Sequence, residues 1–161
     1  MNATGIIQNY FGMKNMISIM LIFSPILVFS QTWERIYGGT GFDQCEEIEQ
    51  TADGGFIVLG NTVSFGAGAF DIYLIKTNSN GDTIWTKTYG GQLSDVGNSI
   101  DLTSDGGFII AGWSESFSAT PSEMYFIRTD SNGDTLWTRT YNYDPSEVAN
   151  SIQQTNDGGF V

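Results

Sequence analysis

From residue 31 onward, apolar residues come in short runs bounded by turn-forming dipeptides, and no stretch repeats them at helical spacing. "FIIAGW", Phe108 to Trp113, is continuously apolar, the pattern of a strand covered on both faces. Thr135 to Tyr141 instead alternates, with Trp137, Arg139 and Tyr141 on one side and Thr138 and Thr140 on the other, as suits an outer strand with one wet face. Asp53-Gly54 and Asn80-Gly81 accept left-handed backbone, so each marks a two-residue hairpin or its bulged variant. Together these signals predict strands at Ser99 to Thr103, Phe108 to Trp113, Met124 to Thr129 and Thr135 to Tyr141.

The pattern recurs. Trp33, Trp85 and Trp137 stand 52 residues apart, as do Gly54, Gly106 and Gly158, and Gly81 and Gly133 keep the same step. "QTADGGFIVLG", "LTSDGGFIIAG" and "QTNDGGFV" align without insertion, and so do "DIYLIKTNSNGDTIWTKTY" and "EMYFIRTDSNGDTLWTRTY". A period of this length built from short strands is the signature of a propeller blade or a related β-array. The expected fold is therefore all-β: a β-propeller-like array of four-stranded antiparallel blades, truncated at about two and a half blades because closed propellers use roughly four to eight. Assembly of short chains into a ring is the alternative. Each recurring indole is expected to plug the flank of a neighbouring blade, an interaction worth about 4 to 6 kcal/mol if fully buried. "TWERIYGG" at the start of the repeats reads as a fourth strand without its first three, which points to an N-terminal latch.

Residues 1–30 do not share this pattern. Lys14, an apolar run from Met16 to Phe29 and Ser30 before Gln31 have the layout of a signal peptide, with Met13 the expected true start. The run is shorter than the roughly 20 residues of a membrane span. Residues 31–161 then form the partial repeat domain of a secreted or cell-surface protein, with no span once the signal is removed.

Composition narrows the partners. The chain has 161 residues, is 40% hydrophobic and carries net charge -12 with no histidine, a balance that disfavours nucleic acid, phosphate and anionic membranes. Without histidine, Ser-His triads and histidine-ligated metals are unavailable. The single cysteine, Cys45, aligns with Gly97 and Ala149, so it reads as a small packing residue.

The quoted repeat "DIYLIKTNSNGDTIWTKTYGG" resembles that of quinoprotein-type propellers. The wider phrase through "DGGF" and "SFGAGAFDIYLIKT" resembles repeats in exported Bacteroidetes proteins that frequently end in a type IX secretion sorting domain. The likeness covers residues 33–161 and implies export through that machinery by a sorting domain outside this sequence. The hairpin is only similar to the Asp box of sialidase propellers, since Ser131 holds the Asp position and Trp137 falls one place late.

The recurring cations have structural expectations. Arg35, Lys87 and Arg139 lie two residues after each Trp, where they can cover aromatics or pair with a neighbouring acid, and Lys76 and Arg128 recur in the third strand. Most recurring acids read as turn residues. Asp130, Asn132 and Asp134 alternate like calcium ligands, but glycine falls at the fourth position, so no cofactor is expected and calcium is the one considered. Binding is expected where copies differ, in "SFGAGAFD" against "SFSATPSE" and "GGQLSD" against "NYDPSE". Asn61, Trp113, Tyr143 and Asp144 are the candidate ligand-binding residues. The expected function is a non-catalytic scaffold that binds a protein or glycan at the cell surface. The alternative is a quinoprotein-like or glycosidase-like propeller enzyme whose active residues lie beyond Val161.

Overall fold

In both glycine-containing phrases the turn is built from the side chain of its first residues. The carboxylate of Asp53 accepts from the Thr51 hydroxyl and from the amide of Gly55, while Gly54 N donates to Thr51 O at 2.9 Å and Thr51 N to Gly55 O at 3.0 Å. Gly54 takes φ of 79°, and no non-glycine residue among those described has positive φ. This is the bulged hairpin: a type I turn closed by a left-handed glycine. Residues 103–107 and 155–159 repeat it, with Asp105 and Asp157 in the same role. The second phrase works alike. Oδ1 of Asn78 accepts the amides of Asn80 and Asp82, both at 2.9 Å, and Asp130 does the same for Asn132 and Asp134.

These turns connect the strands seen in a computed structural model, which describes residues 33–119, 121–143 and 146–161. The predicted signal peptide at 1–30, the start at Met13 and the candidate Asp144 lie outside the described residues. Strands β1 (Asp43–Gln50), β2 (Phe56–Thr62), β3 (Asp71–Thr77) and β4 (Thr83–Tyr89) form one antiparallel sheet in that order. A second sheet of β5 (Asp95–Leu102), β6 (Phe108–Ser114), β7 (Glu123–Thr129) and β8 (Thr135–Tyr141) copies it. There is no helix among the described residues, and so none long and apolar enough to cross a membrane.

One boundary departs from the sequence reading. β5 starts at Asp95 and not at Ser99, because a bulge between Gly97 and Ser99 lets the polar "DVGN" segment stay on the ladder with β6. β1 carries the same bulge between Cys45 and Glu47. Polar composition made this segment look like a loop, but the Asp95 amide is held by Phe70 O at 2.8 Å and its carboxylate by Ser114, Ser116 and the amide of Gly91.

The two sheets stack face to back. Ile57, Leu59, Ile72 and Leu74 of the first meet Ile100, Phe108, Ile110, Tyr125 and Ile127 of the second, with β5 lying against β1, β2 and β3. Gly97 sits inside this layer, where an added Cβ would come within 3.0 Å of Leu59 and 3.2 Å of Ile72. The opposite face of the second sheet, with Ile109, Ala111, Met124 and Phe126, receives Ala149, Ile152 and Phe160 from the start of a third copy. In the second sheet, residues of one alternation therefore face one neighbour and residues of the other face the next, which is why β6 is apolar from Phe108 to Trp113.

Candidate interaction surfaces

The contacts between units repeat with the sequence. Trp33 meets Phe56 edge-on with ring centroids 5.6 Å apart, Trp85 meets Phe108 at 6.1 Å and Trp137 meets Phe160 at 6.1 Å. The first two indoles also cover the left-handed glycine of the next Asn-Gly turn. A Cβ on Gly81 would lie 2.6 Å from the Trp33 ring, and one on Gly133 would lie 2.9 Å from that of Trp85. Glycine is needed at Gly81 and Gly133 for both backbone and space. Two residues on, Arg35 pairs with Asp82 at 3.0 Å and Lys87 with Asp134 at 2.7 Å. Two residues further, the hydroxyls of Tyr37 and Tyr89 donate to Gly81 O and Gly133 O, each at 2.7 Å. Burial pushes the Tyr89 phenol well above its ordinary range and raises that of Tyr37. Asp82 is held below the usual carboxylate range by the Asn78 amide first and Arg35 second.

Trp33 to Tyr37 make no strand ladder, yet they seat their side chains as β4 seats Trp85, Lys87 and Tyr89. The Trp33 indole adds a donation to Ser79 O at 3.1 Å. β8 presents the same three residue types with a different result. Arg139 lies 4.9 Å over the Trp137 ring and has no acidic partner among the described residues. Tyr141 stacks edge-on against Phe126 at 5.7 Å and is 40% exposed. Beside them opens a cavity of about 480 Å³ lined by Ile109, Met124, Phe126, Trp137, Tyr141 and Phe160.

The remaining cations clamp the hairpin ends. Lys76, nearly buried, donates to Asp53 and to Thr77 O; Arg128 does so to Asp105, Thr129 O and Phe108 O. The Lys76 ammonium holds the Asp53 carboxyl far below its ordinary range, and the Thr103 hydroxyl, with Gly107 N and Arg128, brings Asp105 down to about 2. From β1 and β5, Glu47 accepts from Ile100 N and Asp101 from Gln154 N, at 2.8 and 2.6 Å. Glu49 Oε2 is buried without a hydrogen-bond partner among the described residues, and burial, then Asp101 and Glu47, raise its carboxyl above the usual range.

The three candidate ligand residues among those described differ in place and role. Asn61 lies in β2, 4% exposed, and donates to Glu46 and Gly97 O while accepting from Gly97 N, so it ties the two sheets together and offers no ligand an amide. Trp113 stands at the corresponding place in β6, paired across the ladder with Met124 and Val96, and is half-buried. Tyr143 is 82% exposed, its amide held by Glu147 at 2.7 Å. Cys45 is exposed and not packed, since no sheet covers β1 on that side among the described residues, whereas its counterpart Ala149 is 7% exposed. Asp130 spends Oδ1 on its own turn and Asp134 meets Lys87, and among the described residues no three acidic or thiol groups converge on a cation position.

Two features escaped the sequence reading. Phe56, Phe108 and Phe160 are the seats of the indoles, and their place in every "DGGF" phrase was the available signal. At the end opposite the glycine hairpins, Phe42, Phe65, Leu93 and Phe117 are exposed, with Phe65 and Phe117 leaning on Tyr73 and Tyr125 at 5.2 and 5.3 Å. The class these observations define is an all-β repeat protein of stacked four-stranded antiparallel sheets. No protein-family model matches the chain, and no curated protein matches it.

Proposed function

We propose that the chain belongs to an exported, non-catalytic β-propeller-type repeat scaffold that binds a protein or glycan at the cell surface. The observation that carries this reading is the 52-residue recurrence of the contacts between units: Trp to Phe, Trp to turn glycine, Tyr hydroxyl to glycine carbonyl, and cation to turn acid. An interface that reproduces itself from each sheet to the next stacks sheets around an axis, and its acids and cations are spent on turns and clamps. Export is supported by the signal-like residues 1–30 and by the resemblance of the repeats to type IX secretion cargo.

Recognition belongs at the end bearing Phe42, Phe65, Leu93 and Phe117, where the loops differ between copies while the hairpin end stays constant. Exposed aromatic rings serve sugar faces and protein side chains alike. The test is a glycan array and a cell-surface pull-down with the parent chain and a Phe65→Ser, Phe117→Ser variant. The expected outcome is capture by the parent and its loss in a variant that still unfolds cooperatively, at a melting temperature lowered only by the loss of the ring contacts to Tyr73 and Tyr125. Capture that the variant retains would refute this surface.

A further inference from the structure

Among the described residues there are three sealing triads and two turns for them to cover. Trp33, Arg35 and Tyr37 take the turn at Asn78 to Asp82, and Trp85, Lys87 and Tyr89 take the turn at Asp130 to Asp134. Trp137, Arg139 and Tyr141 are left over. We propose that the outward face of β8 is a docking site for a β-hairpin with an Asx-Ser-Asn-Gly-Asp turn, brought by a further repeat from outside residues 33–161. This rests on the repeat-array reading.

The contacts such a hairpin would make are set by the closed interface between the two sheets. There, Ile110, Tyr125 and Ile127 complete the layer over Ile57, Ile72, Leu74 and Trp85. On the open side Ile152 and Phe160 supply the counterparts of Ile100 and Phe108, and the cavity of about 480 Å³ lies where the other three would stand. Two of those three, Tyr125 and Ile127, come from the strand that leads into the turn. The docked turn would place its glycine under the Trp137 ring, its glycine carbonyl on the Tyr141 hydroxyl and its aspartate on Arg139. That guanidinium, exposed and stacked on Trp137, is held in place for a carboxylate.

Other occupants fit less well. A second copy of the chain offers only turns that its own triads already cover. Residues 1–32 contain no Asn-Gly pair, so they cannot supply one. A small apolar molecule could fill the cavity but would leave Arg139 without an anion.

The experiment uses the full chain and a fluorescein-labelled synthetic peptide with the sequence of residues 123–141, followed by anisotropy. Saturable binding is expected, abolished in a Trp137→Ala, Tyr141→Ala variant and weakened roughly tenfold by Arg139→Glu. A peptide carrying Asp134→Lys should bind the parent roughly tenfold more weakly and recover on the Arg139→Glu chain, a charge-swap that misfolding cannot imitate. Absence of saturable binding, or binding untouched by either variant, would overturn the docking site. So would self-association of the chain that competes with the peptide and vanishes in the Trp137→Ala, Tyr141→Ala variant, which would assign the face to a second copy. The array reading is judged separately: a Trp85→Ala chain as stable as the parent would defeat it whatever the peptide does.

Discussion

β4 and β8 carry nearly the same words, "TIWTKTY" and "TLWTRTY", and live in different surroundings. In β4 the ring, the cation and the phenol each have a counterpart across the unit boundary: Phe108 with Gly133, Asp134, and the carbonyl of Gly133. In β8 the ring keeps only its phenylalanine, the cation turns back over the ring, and the phenol is left partly in water. A strand's sequence sets which groups it offers. Their stabilising value depends on whether the next unit presents its turn.

The largest test of that contrast is removal of the rings. Trp85→Ala should cost about 3 kcal/mol in urea unfolding, near the low end for a large aromatic because the indole is only half-buried, while Trp137→Ala should cost about 1 kcal/mol. Glycine substitutions come next. Gly106→Ala adds a Cβ with nothing within 4 Å and meets only the left-handed backbone penalty of about 1–2 kcal/mol; Gly133→Ala meets that penalty and the Trp85 ring as well, and should lose more. Smaller still, Tyr89→Phe should lose about 1 kcal/mol with its hydrogen bond to Gly133 O, and Tyr141→Phe close to nothing.

Acid should leave the contrast nearly intact, because the lowered carboxyls Asp53 and Asp105 belong to a device common to both sheets and the exposed Lys87–Asp134 pair at the seal is worth little. The Asp53 and Asp105 carboxyls titrate lower in the folded chain than in the unfolded one, so the unfolded chain takes up protons first. Their contribution is complete above about pH 4 and is lost as pH falls toward 2. Thermal unfolding between pH 5 and 2 should therefore show falling stability for the parent, with a nearly constant gap between Trp85→Ala and Trp137→Ala. A gap that closes in acid would mean that the Lys87–Asp134 pair carries a large part of the seal.

The legible part of the fold was the part written in local chemistry. The Asp53 side chain accepts the amide of Gly55, and the Asn78 side chain ahead of Asn80-Gly81 accepts those of Asn80 and Asp82, so the hairpins and the three strands around them could be read directly. The first strand of the second sheet, β5, was half missed, since "DVGN" is polar and owes its pairing to a bulge and to distant acceptors such as Phe70 O. The place of Asn61 was not legible for a related reason. A polar residue that differs from its copy, Trp113, looks like a recognition residue, but here its amide satisfies the Gly97 backbone across the sheet boundary, a contact that sequence spacing does not encode. Cys45 reads as buried because its counterparts are, and it is exposed because burial at that position depends on the preceding sheet.

The central claim is that the indole of one unit seats on the glycine turn of the next. A double-mutant cycle on Trp85→Ala and Gly133→Ala, followed by urea unfolding, measures it most directly. With the ring gone, Gly133→Ala should cost its backbone strain and the shift of the Lys87 stem 2.9 Å away but no longer the clash with the indole, giving a coupling of about 1 kcal/mol. Strictly additive losses would mean that the two residues do not meet, and the account of how the sheets stack would fail.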